Sequence, residues 1–157
     1  EHLVAAHEIL AEGFGSKRFL FMFPADESLK DFRRRYKKMP EEKRKLGAVA
    51  VDDDNQILGY IQLTAKGLPA YPEGLHSCER GEYYIEQVAV SSKARGKGIG
   101  TKLLQWSEQT ALENPAVTVL KLAVLRGNPA IRLYERFGFE VIEVDCVDEC
   151  CTTSIIC

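Results

Sequence analysis

The sequence predicts an α+β (mixed α/β) domain built on a mixed sheet, and three observations carry that prediction. Two amphipathic helical stretches come first, and two short alternating strands joined by a polar turn follow. The second half then reads strand, glycine loop, helix, strand, short helix, strand, the order of β-α-β units laid on a sheet.

Each element has its own local signal. Residues 2–13 read as a helix with Leu3, Ala6, His7, Leu10 and Ala11 recurring at helical spacing, stopped by Gly13. Ser28 to Lys38 reads as a second helix, very basic through Lys30, Arg33, Arg34, Arg35, Lys37 and Lys38, and Pro40 ends it. Gly47 to Val51 and Ile57 to Thr64 are strand-like, with Asp52-Asp53-Asp54-Asn55 as the hairpin turn that makes them antiparallel neighbours. Lys66 to Gly81 follows neither period and holds three Gly and two Pro, so it is a loop of about fifteen residues, a length that tends to carry function. After it come a strand over Tyr83 to Val90, a helix over Gly100 to Glu113 closed by Pro115, a strand over Val117 to Leu125, a short helix over Pro129 to Phe137, a strand over Phe139 to Val144 and a last strand over residues 152–156. Neither a repeat nor a low-complexity stretch interrupts this order.

The glycine loop is the most informative segment. Arg95-Gly96-Lys97-Gly98-Ile99-Gly100-Thr101 joins a strand to a helix, a place where backbone approaches a ligand closely and free amides at a helix start favour a pyrophosphate. Two familiar phosphate loops do not fit. The Walker pattern needs Gly-Lys-Ser/Thr, whereas Gly100 is followed by Thr101 and then Lys102. The dinucleotide fingerprint needs G-x-x-G after its first pair, whereas this loop is G-x-G-x-G and lies in the second half of the chain.

What the loop does match is R-x-x-G-x-G after Val88-Ala89-Val90, and a second block about thirty residues on reads Asn128-Pro129-Ala130-Ile131-Arg132-Leu133-Tyr134-Glu135-Arg136-Phe137-Gly138-Phe139. With both blocks in this order the chain resembles the GNAT N-acetyltransferases, closely over Tyr83 to Phe139 and elsewhere in general layout. The resemblance implies a mixed, mostly antiparallel central sheet flanked by helices and splayed between the strand before the glycine loop and the strand after its helix, with acetyl-CoA as co-substrate and its pantetheine arm in the opening. It also implies a family strand ahead of the first helix, which this chain lacks or keeps very short.

The resemblance implies roles residue by residue. Arg95, Gly96, Lys97, Gly98, Ile99, Gly100 and Thr101 would hold the pyrophosphate, while Val88, Ala89 and Val90 would pair with the pantetheine arm, the Val88 N–H polarising the thioester carbonyl. Tyr134 matches the tyrosine that protonates the leaving thiolate, a phenol that stays protonated at neutral pH. Asn128 matches a cofactor-contacting residue and equally suits the start of the helix at Pro129. Family members often place a carboxylate on the strand before the loop. By strand parity Glu86 shares a face with Val88 and Val90 and is the candidate general base, with Tyr84 on that face as a candidate substrate contact and Glu82 in reserve. The expected reaction is direct attack by a primary amine in a ternary complex. Cys78 has no catalytic partner in the sequence beyond His76, which argues against an acyl-enzyme.

Composition narrows the class. At 157 residues, with 28% charged and 45% apolar residues and a net charge of -2, the chain reads as one domain spanning 1–157 with no call for nucleic acid or membrane. Segment 30–45 carries nine basic residues, diluted by Asp31, Glu41 and Glu42 and without an aromatic platform beyond Phe32 and Tyr36, so it reads as a solvated helix face. Five cysteines, Cys78, Cys146, Cys150, Cys151 and Cys157, form no C-x-x-C pair, and no metal is expected. A cytoplasmic protein is the default, or an organelle-lumen one if a targeting segment has been removed. Monomer and homodimer both stay open, as does the acceptor: small amine, amino acid, protein N-terminus or lysine side chain. The loop with Pro69, Tyr71 and Pro72 leans toward a small molecule. A rival reading keeps the fold as a non-catalytic acyl-CoA sensor.

Overall fold

The computed structural model describes residues 2–15, 27–70, 78–125, 127–147 and 150–156. Its elements run α1 (His2–Gly15), α2 (Leu29–Lys38), α3 (Glu41–Arg44), β1 (Gly47–Val51), β2 (Ile57–Ala65), β3 (Glu82–Val90), α4 (Ile99–Leu112), β4 (Val119–Leu125), α5 (Ile131–Phe137), β5 (Glu140–Val147) and β6 (Cys150–Ile156). A 3-10 turn at Ser92–Ala94 leads into the glycine loop. The described strands form one sheet in the order β1-β2-β3-β4-β6-β5, antiparallel throughout except for the parallel pair β3 and β4. This is the mixed, mostly antiparallel sheet that the resemblance implies.

Local chemistry explains the ends of the elements. Ser28 caps α2 by accepting the Asp31 N–H, and Asp52 Oδ1 accepts the N–H groups of Asp54 and Gln56 to close the β1–β2 hairpin. Asn55 takes the left-handed conformation that this turn needs. Helix α1 runs through Gly13 to Gly15, two residues past the expected stop, since a single interior glycine weakens a helix by only about 1 kcal/mol. The four-residue α3 was not foreseen, because one turn is too short to show a hydrophobic period.

The sheet has a core on each face. On one, Ile99, Leu103 and Leu104 of α4 and Tyr134 of α5 pack on Ile61, Leu63, Tyr83, Ile85, Leu120 and Leu122. At about 2 kcal/mol per buried aliphatic side chain, the three α4 residues alone contribute about 6 kcal/mol. On the other face, Ala6, Ile9 and Leu10 of α1 and Phe32 of α2 cover Ile57, Tyr60 and Ala89.

A bulge in β3 corrects the parity expectation. Gln62 pairs with Gln87 but Leu63 pairs with Ile85, so Glu86 is an extra residue in the ladder. Tyr83 and Ile85 before the bulge face the α4 side, and so do Val88 and Val90 after it, although their numbers differ in parity. Glu86 and Gln87 both fall opposite Gln62, on the α1–α2 face with Tyr84 and Ala89. Glu86 therefore does not share a face with Val88 and Val90. Tyr84, paired with Thr64, does share one with Glu86.

The splay lies beside this bulge. Parallel pairing of β3 with β4 runs from Glu82↔Val119 to Ile85↔Leu122 and stops there, leaving the rest of that β3 edge without a β4 partner. A second departure is at the other end of the sheet. The last strand inserts between β4 and β5, so consecutive strands β4 and β5 are not neighbours.

Candidate active site

The glycine loop is a turn that only glycines hold without strain. Gly96 and Gly98 have φ of 75° and 78°, and a Cβ on either would meet no atom within 4 Å, so the space above both is open. Gly98 is the N-cap of α4 and has no side chain to cap it, and the first turn holds no acidic residue. The Ile99, Gly100 and Thr101 amides thus head a fourteen-residue helix with no capping side chain of their own. Arg95 and Lys97 are exposed at the rim, while the Ile99 side chain turns into the core. Gly100 serves a different need, since its Cβ would lie 2.9 Å from Leu133 Cδ2, where α4 crosses α5. Open space, bare amides and two cations fit the diphosphate of a CoA thioester.

The slot beside β3 fits the arm of the same ligand. Ser91 N–H donates to Leu58 O at 2.9 Å, and amides alternate edges along a strand, so the main-chain groups of Ala89 also face β2. Those of Val88 and Val90 face the unpaired edge where β4 has diverged. Acceptors and donors for an amide-bearing chain are thus laid out along the gap that leads to α4.

Helix α5 explains the spacing of the second motif. Asn128 Oδ1 accepts the Ala130 N–H at 3.0 Å and starts the helix, Tyr134 lies on its buried face, and Gly138 ends it with φ of 112°. The chain then turns back so that Phe139 meets the Tyr134 ring edge-on at 6.0 Å. Burial pushes the Tyr134 hydroxyl up to about 12, and the ring sits in the core cluster against which Val88 and Val90 pack. The Asn128 oxygen therefore fixes the turn that leads into the helix, whose N-cap is Ala130, and among the described residues its NH₂ meets no partner.

Glu86 is neither exposed nor alone. Its side chain is 1% exposed and its two oxygens lie 2.8 and 2.7 Å from Lys43 Nζ, itself 2% exposed. Lys43 also reaches the Pro69 carbonyl at the start of the long loop and Thr64 Oγ1 at 3.5 Å. Desolvation pulls the Lys43 ammonium below its ordinary range, and its bond to Glu86 opposes that fall. Nearby, Gln62 Oε1 accepts from Tyr60 O–H and its NH₂ lies within hydrogen-bond distance of the Lys43, Leu46 and Leu63 carbonyls, while Gln87 Oε1 is buried with no partner among the described residues. Nothing in the sequence marked Lys43 among the basic residues around it; only the fold brings it to β3.

The other candidates sort clearly. Burial would raise the Glu82 carboxyl, but Lys121 and the Glu79 N–H outweigh it and hold the group below its usual range, so Glu82 is a poor reserve base. Tyr84 is pushed up to about 12 by burial. Burial lifts the half-buried Cys78 thiol to about 11, which leaves it protonated at neutral pH and unfit as a nucleophile. Tyr71, Pro72 and His76 lie outside the described residues, as do Cys157 and the side chains of Cys146, Cys150 and Cys151. Among the described residues no group of three or more His, Cys, Asp or Glu could hold a metal ion, and no helix is long and apolar enough to cross a membrane.

Comparison with known proteins bears on the family and the fold. The family model "Acetyltransferase (GNAT) family" matches residues 6–139. The uncharacterized N-acetyltransferase YhbS of Escherichia coli strain K12 is 31% identical over 96 residues, covering 61% of this chain and 50% of that protein. The chain spans between a fifth and a half of the length of the curated relatives it matches most strongly. Among solved structures, a GCN5-related N-acetyltransferase from Kribbella flavida superposes with a TM-score of 0.74 at 20% identity, covering 98% of this chain and 90% of that one. A chain of the NatC complex bound to Gag peptide and CoA does so with 0.70 at 21% identity, covering 99% and 89%. At these identities the two structures speak for the fold.

Proposed function

The chain belongs to the GNAT acetyltransferase family, and from that premise we propose that it transfers an acetyl group from acetyl-CoA to a primary amine, as a single catalytic unit, by direct attack. The observation that carries this reading is the unpaired β3 edge at Val88 and Val90 running toward the uncapped start of α4. One continuous path can hold a thioester arm at one end and its diphosphate at the other.

In this reading Gly96 to Thr101, with Arg95 and Lys97, hold the diphosphate, and the Val88 to Val90 edge takes up the arm as an added strand. The Val88 N–H donates to the carbonyl oxygen on which charge grows, an interaction of about 3 kcal/mol in comparable sites. Asn128 uses its free NH₂ on the arm. Tyr134 donates its proton to sulfur as the C–S bond breaks. Its buried, apolar setting disfavours a phenolate, so the proton leaves only as the sulfur charge develops and is restored from the amine side.

The Lys43–Glu86 pair serves the acceptor. A buried ammonium close by disfavours a second cation, so the incoming amine is held neutral. Once nitrogen has bonded to the carbonyl carbon its N–H becomes strongly acidic, and Glu86 takes that proton. Tyr84, on the same face, contacts the acceptor.

The test is acetyl-CoA binding by calorimetry, followed by thiol release against a panel of amines and peptides, with Tyr134→Phe beside the wild type. The expected outcome is amine-dependent release that falls about 100-fold or more in kcat in the variant while acetyl-CoA affinity holds. Release that is undiminished in Tyr134→Phe removes the tyrosine from the mechanism, and absent acetyl-CoA binding removes the function.

A further inference from the structure

The basic residues of α2 divide by face. Phe32 is buried, Met39 just past the helix is buried, and Arg35 lies over the Phe32 ring at 5.1 Å while pairing with Glu27 at 2.9 Å, so this side holds the helix to the sheet. Lys30, Arg33, Arg34, Lys37 and Lys38 fall at i, i+3, i+4, i+7 and i+8, a single stripe on the other side. With Leu29 they line a groove of about 650 Å³ open to solvent. Among the described residues only Arg34 of the five has an acidic partner, Asp31 at 2.8 Å, and that pair is exposed.

Helix stability does not account for the stripe. Lys30–Arg34, Arg33–Lys37 and Arg34–Lys38 are like charges one turn apart, each of them unfavourable. The helix dipole favours Lys37 and Lys38 near the C-terminus but opposes Lys30 in the first turn. Nor does overall composition explain it, since the chain as a whole carries a net charge of -2. Basic charge has been gathered on one exposed face of an otherwise slightly acidic protein.

We propose that this stripe docks an acidic stretch of the polypeptide that carries the acceptor amine, which makes the substrate a peptide or protein amine with Asp and Glu nearby. The proposal rests on the acetyl-transfer reading and narrows its acceptor. Through Phe32, α2 sits on the same sheet face as Glu86 and Tyr84, so a chain bound along it is on the acceptor side of the sheet. Alternate side chains of an extended peptide lie about 6.6 Å apart on one side. Cations one turn apart along the stripe are spaced about 6 Å, so an acidic residue at every second position meets the stripe over two turns. Nucleic acid would also bring regular charge, but among the described residues no aromatic side chain lines the groove to stack a base.

The test uses the full chain and its Lys30→Glu/Arg33→Glu/Lys37→Glu/Lys38→Glu variant, all four positions being exposed. A fluorescein-labelled hexaglutamate peptide is titrated by anisotropy, with oligouridine of equal charge as the second probe and acetyl-CoA calorimetry as the control of folding. The expected result is peptide binding that weakens tenfold or more in the variant and with added salt, while the acetyl-CoA titration of the variant matches that of the wild type. Unchanged peptide affinity in the variant, no peptide binding at low salt, or tighter binding of the oligouridine each overturns the proposal. Because binding is read without turnover, failure of acetyl transfer itself shows separately, as wild type that binds peptide and not acetyl-CoA.

Discussion

Replacing Lys43 by Met strands a carboxylate in the interior. Glu86 is 1% exposed and both its oxygens are engaged by Lys43 Nζ, so the variant keeps the charge and loses its counter-charge. Breaking a buried pair from one side costs about 3–5 kcal/mol, a large part of the 5–15 kcal/mol that holds a domain of this size together. Removing both partners is a milder change. In Lys43→Met/Glu86→Leu neither charge of the pair is left, and the loss of a donor to the Pro69 carbonyl and Thr64 costs about 1–3 kcal/mol. Urea unfolding followed by the fluorescence of Trp106, the single tryptophan, reads both. With a slope of about 2 kcal/mol per molar, the single variant shifts the midpoint down by about 1.5–2.5 M and the double variant by roughly half as much or less. A single variant that loses less than about 1 kcal/mol, or a double variant no better than the single, refutes the buried pair.

Three further outcomes follow from the loop and from β3. Gly98→Ala destabilises by about 1–2 kcal/mol through its left-handed backbone, roughly 3–6 °C in thermal midpoint, and weakens acetyl-CoA by filling the open cradle. Gly100→Ala, by contrast, gains helix propensity and has only to push aside the end of Leu133, so its thermal midpoint stays within about 2 °C of wild type. Glu82 is held below its ordinary range, so its contribution to stability is present above about pH 4.5 and is lost as pH falls through its lowered folded value. Lys121→Met removes the ion pair, and thermal melts at a series of pH values between 3 and 6 should show a flatter decline than in wild type; an equal slope would dismiss the pairing.

What the sequence made legible was what local signals encode. Val88, Ala89, Val90 and the run from Arg95 to Thr101 sit on consecutive elements with turn chemistry written into their glycines, and Asn128, Tyr134 and Gly138 mark the start, buried face and end of one short helix. Long-range placement was not legible. The bulge at Glu86 shows in the sequence only as the adjacent polar pair Glu86-Gln87 between Ile85 and Val88, and strict two-residue parity, which passes over it, put Glu86 on the wrong face. Lys43 is forty-three positions from Glu86 and looks like its basic neighbours until β2 and β3 are folded beside α3. The stripe on α2 was visible as charge, but which residues face the groove was settled only when Phe32 and Arg35 were seen to hold the opposite side.

The insertion of β6 between β4 and β5 sets an order of events in folding. Strand β5 leaves the ribosome before β6, and neighbouring strands in sequence are the pair that forms first when loop closure is the barrier. Yet the native place beside β4 belongs to β6, with Leu125 against Thr152 and Lys121 against Ile156. A direct β4–β5 ladder is therefore a ready competitor that must be avoided or undone before the sheet is complete. The β5–β6 hairpin, paired from Glu140↔Ile156 to Val147↔Cys150, resolves this if it assembles first and docks as a unit. On that route the β5–β6 pair is the last part of the sheet to arrive, after β3, β4 and the glycine loop already have their shape.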